Sequence, residues 1–294
     1  MPSPTSFNRF CRLRIGSSED ANALDVSNLR IQFEIVKSSI GKPNTATIKV
    51  FNLSESSRSK IQQFDRVVLE AGYEGSNGTI FSGEVFNVFP RRLQPEWVIE
   101  IYASDGGFNF REAYTTASYG NNVSLSQILD GLRGDMNLEV GQINLSDSVL
   151  NSKKIMGWQF TGDTSKALDE LKLEYNFDWS IQGGKFYVIA RDRTADAKPV
   201  FEINSESGMI GSPVLTERGA DVKTLLNWQL IPNEEINVVS VGQPIKYAYL
   251  NISSAKQRIN YGNFIVRQIT HIGDTRGLDW YTMIEGYDRP PEVI

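Results

Sequence analysis

The sequence predicts a mainly β fold with a small α+β unit inserted between two strand-rich ends. Three observations predict it. Apolar and polar residues alternate through the first hundred residues, helix-start signals cluster in the middle, and alternation returns in the last third. The expected boundaries are residues 1–106, 107–197 and 198–294.

The first strand is expected at Cys11 to Ile15, where Cys11, Leu13 and Ile15 share one face and Arg12 and Arg14 the other. Leu29, Ile31, Phe33 and Ile35 then alternate with Arg30, Gln32 and Glu34, and Ala46, Ile48 and Val50 with Thr47 and Lys49. Such alternation marks half-buried strands of an antiparallel sheet. Gly41-Lys42-Pro43-Asn44 supplies a turn between two of them. A helix is expected over 55–64, with Ser54 as its cap and Ile61 and Phe64 as its apolar edge. Strands resume at Arg66–Ala71, Thr79–Val85 and Trp97–Ala103. Gly72 to Gly78 joins the first two, with Asn77-Gly78 as the expected hairpin turn because both residues tolerate positive φ.

In the middle, Ser124-Leu125-Ser126-Gln127 reads as a capping box opening a helix with Leu125, Ile128, Leu129 and Leu132 inside. A second helix starts at Asp163 or Thr164 and carries Ala167, Leu168 and Leu171. Asp178–Ile181 and Lys185–Ile189, joined at Gln182-Gly183-Gly184, read as a β-hairpin. A polar stretch, Arg191 to Lys198, leads out. The last third gives strands at Val222–Leu226, Ile236–Val241, Phe264–Ile272 and Trp280–Gly286, with a longer loop over 243–260.

The two ends share one pattern. Phe81, Trp97, Ile101 and Asp105 fall at the same intervals as Phe264, Trp280, Ile284 and Asp288. A duplication explains this, and so do two unrelated hairpins with a common strand grammar; periodicity does not separate them.

Composition excludes several classes. Hydrophobic residues are 40% and charged residues 22%, the balance of a globular chain. A net charge of −5 with no basic cluster beyond Arg91-Arg92 argues against a general nucleic-acid binder. A single cysteine, Cys11, permits no intramolecular disulfide, which fits a reducing cytoplasm. No basic region followed by an apolar run opens the sequence, and no stretch is apolar enough for a membrane anchor. The sequons at Asn52, Asn77, Asn122, Asn144 and Asn251 are therefore read as accidental.

Chemistry is sparse. The one histidine, His271, ends a strand and is read as structural, and with one cysteine there is no zinc framework. Cys11 keeps register with Leu13 and Ile15, the setting of an inert thiol. Glu84, Asp105, Asp274 and Asp279 flank strands, where carboxylates are usually solvated; a glycosidase would need two of them across a sugar bond. The Gly72–Gly78 run lacks the spacing of a phosphate loop. Trp97, Trp158, Trp179, Trp228 and Trp280 are read as core or domain-interface residues, with sugar stacking as the alternative. No catalytic residue, cofactor or metal is expected.

Several ordered segments resemble a known family. They are Leu29–Phe33, Pro43–Ile48, Phe51–Ser54, Gly72–Gly75, Ile80–Val85, Leu168–Leu171, Phe177–Trp179, Gly184–Val188, Gly208–Pro213, Thr224–Asn227 and His271–Tyr281. Together they resemble the phage tail baseplate hub proteins of the late control protein D family and the hub module of type VI secretion spikes. The resemblance implies two tail-tube-like antiparallel β-barrels flanking a small helix/hairpin domain. It implies a homotrimer joining a six-fold tail tube protein to a three-fold central spike protein, beside other baseplate proteins. The genome would pass through the channel without sequence-specific binding. It places the protein in the virion tail baseplate, assembled in the host bacterial cytoplasm. Some relatives carry a fused spike or a peptidoglycan-cleaving domain; this sequence ends at Ile294, so those functions are expected of a separate protein. Arg58, Lys60, Gln62 and Gln63, on the outer face of the helix expected at 55–64, are the candidate ring contacts, with a solvent-facing barrel cap as the alternative. The alternative function is a wall-active glycan hydrolase or carbohydrate-binding module.

Overall fold

The computed structural model describes residues 8–16, 23–63, 65–93, 95–191, 193–194, 200–216, 219–239, 246–247 and 261–288. The first third runs through β1 (Arg9–Gly16), β2 (Leu24–Asp25), β3 (Ile31–Ser38), β4 (Thr45–Phe51), the single turn α1 (Glu55–Arg58), β5 (Arg66–Tyr73), β6 (Ser76–Leu93) and β7 (Glu96–Ser104). The middle holds α2 (Gly107–Glu112), β8 (Tyr114–Tyr119), β9 (Val123–Ser124), α3 (Leu125–Asp135), β10 (Glu139–Asn144) and α4 (Asp147–Leu150). It continues with β11 (Lys153–Lys154), β12 (Trp158–Asp163), α5 (Thr164–Tyr175), β13 (Phe177–Gln182) and β14 (Lys185–Ala190). The last third adds β15 (Phe201–Ile203), β16 (Val214–Thr216), β17 (Gly219–Leu225), β18 (Glu235–Val239), β19 (Lys246–Tyr247), β20 (Tyr261–Asp274) and β21 (Trp280–Asp288).

The fold is mainly β. Strands from both ends join one 14-stranded sheet, and among the described residues it does not close on itself. The join is made by β20. One edge of β20 takes β21, while the other is shared: Tyr261–Ile265 pair with β18, and Gln268–Asp274 pair with β3.

The same ladder occurs twice. The order β3-β4-β7-β6-β5 matches β16-β17-β21-β20-β18, every neighbour is antiparallel in both, and β19 is the one insertion in chain order. Registers agree as well. Val88 faces Ile101 as Ile269 faces Ile284, and Val85 faces Ala103 as Val266 faces Gly286. A register shift follows each of those valines, between Val85 and Asn87 and between Val266 and Gln268. Shared order, sense, register and bulge position go beyond strand grammar, because bulges are specific local features; we read the two ladders as one duplicated unit. Trp97 and Ile101 correspond to Trp280 and Ile284, as the sequence intervals suggest. Phe264 corresponds to Gly83 and not to Phe81, because the second hairpin has a connection two residues longer.

The described residues form three buried clusters. The first gathers residues from Leu13 to Ala103 with Leu226 and Trp280, the second residues from Ala113 to Val188, and the third residues from Ile203 to Ile284. In the middle unit the capping box is present: Ser124 Oγ accepts from Gln127 N at 3.3 Å, and Gln127 Oε1 accepts from Ser124 N at 3.0 Å. Leu125, Ile128, Leu129 and Leu132 of α3 are buried, as are Ala167, Leu168 and Leu171 of α5. Gly183 and Gly184 turn the β13–β14 hairpin with φ of 61° and 74°, where a side chain would be strained.

Some expectations are corrected. The β5–β6 hairpin turns at Glu74-Gly75, with Tyr73 opposite Ser76, and not at Asn77-Gly78. Gly75 supplies the positive φ, 83°. Gly78 lies within β6, where a Cβ would meet the Trp228 ring at 2.3 Å, so packing and not a turn calls for glycine there. The helix expected over 55–64 is one turn long, Glu55–Arg58. Ser54 does cap it, but Ser59 Oγ donates back to Ser56 O at 3.1 Å, the local bonding by which serines compete with helix propagation. The strand expected at Thr79–Val85 extends through Leu93. Phe64 lies outside the described residues, and so does the 243–260 loop apart from β19.

Candidate functional site

The second half of β6 is the most exposed regular segment of the first ladder. Asn87–Leu93 pair with β7 on one edge, and no described strand pairs with the other. Phe89 is 43% exposed, Leu93 54% and Trp97, opposite Arg92 on β7, 41%. Exposed apolar groups in one place mark a contact surface. Arg58, from the turn α1, lays its guanidinium 4.3 Å from the Trp97 ring centroid, and Arg92 approaches the same ring at 5.9 Å. Arg58 Nη1 is buried without a hydrogen-bond partner among the described residues. Lys60, Gln62 and Gln63 are exposed just beyond. Of the four candidate ring contacts, Arg58 therefore joins the Trp97 surface. Trp97 itself departs from the core or interface role expected for it.

On the sheet face away from the core, the buried carboxylate of Glu100 is held by Lys49 Nζ at 3.3 Å and Arg91 Nε at 3.2 Å. Tyr102 donates its hydroxyl to Glu100 at 3.3 Å and packs its ring on Phe89 at 5.8 Å. Arg91 and Phe89 are thus fixed on the free edge by partners on β4 and β7.

Of the groups singled out for chemistry, His271, Asp105 and Asp274 are buried in the fold. His271 is fully buried, with Nδ1 2.9 Å from Thr282 Oγ1. Burial, with Lys37 nearby, holds the imidazole well below its ordinary pKa, so it is neutral. Burial pushes the Cys11 thiol up to about 12, which leaves it unreactive. Glu84 is exposed within β6, and Asp279 is exposed just before β21. Asp105 is buried, which raises its pKa; it accepts from Asn44 Nδ2 at 3.3 Å and from the Gly183 amide. Asp274 is buried too. Burial would raise it, but hydrogen bonds from Arg30, Gln32 and the Arg276 amide outweigh burial and hold it well below the carboxylate range. Among the described residues no group of three or more His, Cys, Asp or Glu is placed to hold a metal. Of the other tryptophans, Trp179 and Trp280 are buried, with indole N–H groups donating to Asp169 Oδ1 at 2.9 Å and Gly72 O at 3.1 Å. Trp158 stacks on Phe160 in the middle unit, and Trp228 packs on the first core.

No curated sequence matches the chain. Solved structures do. A 43 kDa tail protein of prophage MuSo2 from Shewanella oneidensis aligns with TM-score 0.62 at 10% identity, over 95% of this chain and 97% of that one. A tail protein from Neisseria meningitidis MC58 aligns with TM-score 0.63 at 8% identity, over 96% and 97%. The E. coli c3393 protein, a type VI secretion component described as similar to T4 tail proteins gp27 and gp5, aligns with TM-score 0.57 at 12% identity, over 89% and 74%. These likenesses establish a tail-protein fold. The profile of the baseplate hub gp41 family matches residues 13–246, most of the sequence, and the chain therefore belongs to the baseplate hub gp41 family.

Proposed function

We propose that three copies of this chain form a ring that joins a six-fold tail tube to a three-fold central spike in the virion baseplate. The duplicated ladder supports this reading above all else. Two similar modules per chain give a trimer six similar modules, so one face matches a six-fold partner while the whole remains three-fold. In this reading each ladder is the wall of a tail-tube-like β-barrel that closes only in the ring. Residues 1–106 and 198–294 form the two modules, and 107–197 the unit between them. The ring assembles in the host cytoplasm, meets other baseplate proteins at its rim, and lets the genome pass without sequence-specific contact. Its role is structural, and Arg58, Lys60, Gln62 and Gln63 belong to the ring contact.

Mass photometry on the purified chain tests the stoichiometry. Particles at three times 33.0 kDa are expected, alone or with the spike protein added. Cryo-electron microscopy of tail particles then locates the chain; density away from the tail axis would end the reading.

A further inference from the structure

We infer that the free edge of β6, Asn87–Leu93, pairs with the outer edge of β16 in a second copy of this chain, repeating between chains the seam that β20 and β3 make within one. The inference rests on the ring reading and names the strands that carry it.

The duplication supplies the template. Within the chain, Gln268–Asp274 of β20 lie against Ser38–Gln32 of β3. The shared register makes Asn87–Leu93 the counterpart of Gln268–Asp274, since Val88 and Ile269 face corresponding isoleucines. β16 is likewise the counterpart of β3. Leu215 faces Ala220 as Ile35 faces Ala46, and those alanines face Gly286 and Ala103 in turn. One seam of each kind is expected per chain in a ring. The β20–β3 seam is made internally; the β6–β16 seam lacks its mate, and a second copy brings one. Carried across, the observed pair Thr270–Val36 becomes Phe89 against Thr216, and Ile272–Glu34 becomes Arg91 against Val214.

Side chains on the two edges fit. Phe89, exposed and held by Tyr102, gains cover on the non-core face. In this register Arg91 stands across from Val214, and the guanidinium nitrogens that Glu100 does not hold would reach toward Asp221, the cross-strand neighbour of Val214 on β17. Asp221 has no cation against it among the described residues, and partial burial alone raises its pKa. Two features shape the seam. Pro90 stands where β20 has His271 and withholds one backbone donor, so side chains carry more of the contact than in the internal seam. The two-residue β19 lies parallel on Val214 and Leu215 in the place of the incoming strand. The three residues of β16 offer the incoming strand an antiparallel ladder of three pairs in place of these two parallel ones.

Site-specific cross-linking tests this in a Cys11→Ser background. Phe89→Cys chains are mixed with Thr216→Cys chains and treated with a short bismaleimide, with mass photometry on the same samples. Covalent dimers are expected in the mixture and in neither variant alone, and the double variant should give covalent species of three copies. A Val36→Cys/Thr270→Cys chain, cross-linked internally, shows that the chemistry works across such a seam. Arg91→Glu should weaken assembly about tenfold, and Asp221→Arg should restore it. Particles of several copies with no Phe89–Thr216 cross-link and no effect of Arg91→Glu would overturn this seam and leave the ring standing. Single copies at every concentration, without cross-links and with or without spike, would overturn both.

Discussion

Gly41, in the β3–β4 connection, lies so close to the indole of Trp179 that a Cβ on it would stand 2.4 Å from the ring. Trp179 is fully buried, donates to Asp169 and stacks on Phe110, so it has no room to retreat. This contact presses the middle unit onto the first ladder. Gly41→Ala should destabilise the protein by about 1–3 kcal/mol, the usual range for overpacking. Trp179→Phe removes the clashing ring, so in urea denaturation the double variant should lose less than the sum of the two. Strict additivity would mean that the two residues are not in contact.

Beside that contact, Asn44 Nδ2 lies within reach of Asp105 Oδ2, Ile181 O and Gln182 Oε1, at 3.3, 3.1 and 2.8 Å, while Gln182 Nε2 donates to Ser38 O at 2.8 Å. The amide thus bridges β4 to the β13–β14 hairpin. Asn44→Ala leaves a buried carboxyl and two buried carbonyl oxygens short of a donor, a cost of about 2–3 kcal/mol. Amide hydrogen exchange should rise more in 177–190 than in 31–51, because the hairpin loses its tether and β3–β4 keep their ladder. Equal protection loss in both segments would refute the bridging role.

Acid should weaken the fold through His271. Its folded-state pKa is held well below the ordinary 6.5 by burial first and by Lys37 second. The unfolded chain therefore binds a proton near pH 6.5 that the folded chain refuses. Stability is greatest above that pH and falls as pH drops below it, by at most about 1.4 kcal/mol per pH unit. The melting temperature of the parent chain should fall between pH 7 and pH 5, and that of His271→Gln should fall less. Parallel curves would show that the imidazole does not titrate in this way.

Much of the fold is legible in the sequence because period-two alternation and helix caps act locally. Leu13 and Ile15, Ile31 to Ile35 and Ala46 to Val50 bury the alternating face that their pattern announces. Ser124 and Gln127 announce α3. The candidate site is less legible for a physical reason. Phe89, Pro90, Arg91, Arg92 and Leu93 sit on a strand bonded along one edge only, so no core enforces alternation, and the sequence reading ends the strand at Val85. Trp97 reads as core by its residue type, yet it lies half open between two arginines. The repeat is visible at Trp97 and Trp280 but slips at Phe81, because a connection two residues longer shifts one strand against the other and leaves the ladder unchanged.

In the turn after β20, Asp274 ties the two ends of the chain together. Its carboxylate takes Arg30 Nη2 at 2.7 Å, Arg30 Nε at 3.2 Å, Gln32 Nε2 at 2.9 Å and its own turn's Arg276 amide at 2.9 Å. Arg9 adds bonds to the carbonyls of Asp274 and Gly277 at 2.9 and 2.6 Å. Burial opposes the ionised form, but these donors outweigh it, so the folded-state pKa lies below the ordinary 3.8. A carboxylate depressed in this way stabilises the fold above pH 3.8 and loses that contribution as pH falls through its folded value. Asp274→Ala leaves the part-exposed Arg30 guanidinium without its partner and should cost about 1.5–3 kcal/mol at neutral pH, whereas Arg30→Met with Asp274→Leu should cost much less. The Asp274→Ala penalty should shrink as pH drops below 4, since the unfolded parent then takes up a proton that the folded carboxylate still refuses. A penalty unchanged from pH 7 to pH 2.5 would mean that packing, and not the charged network, holds β20 against β3.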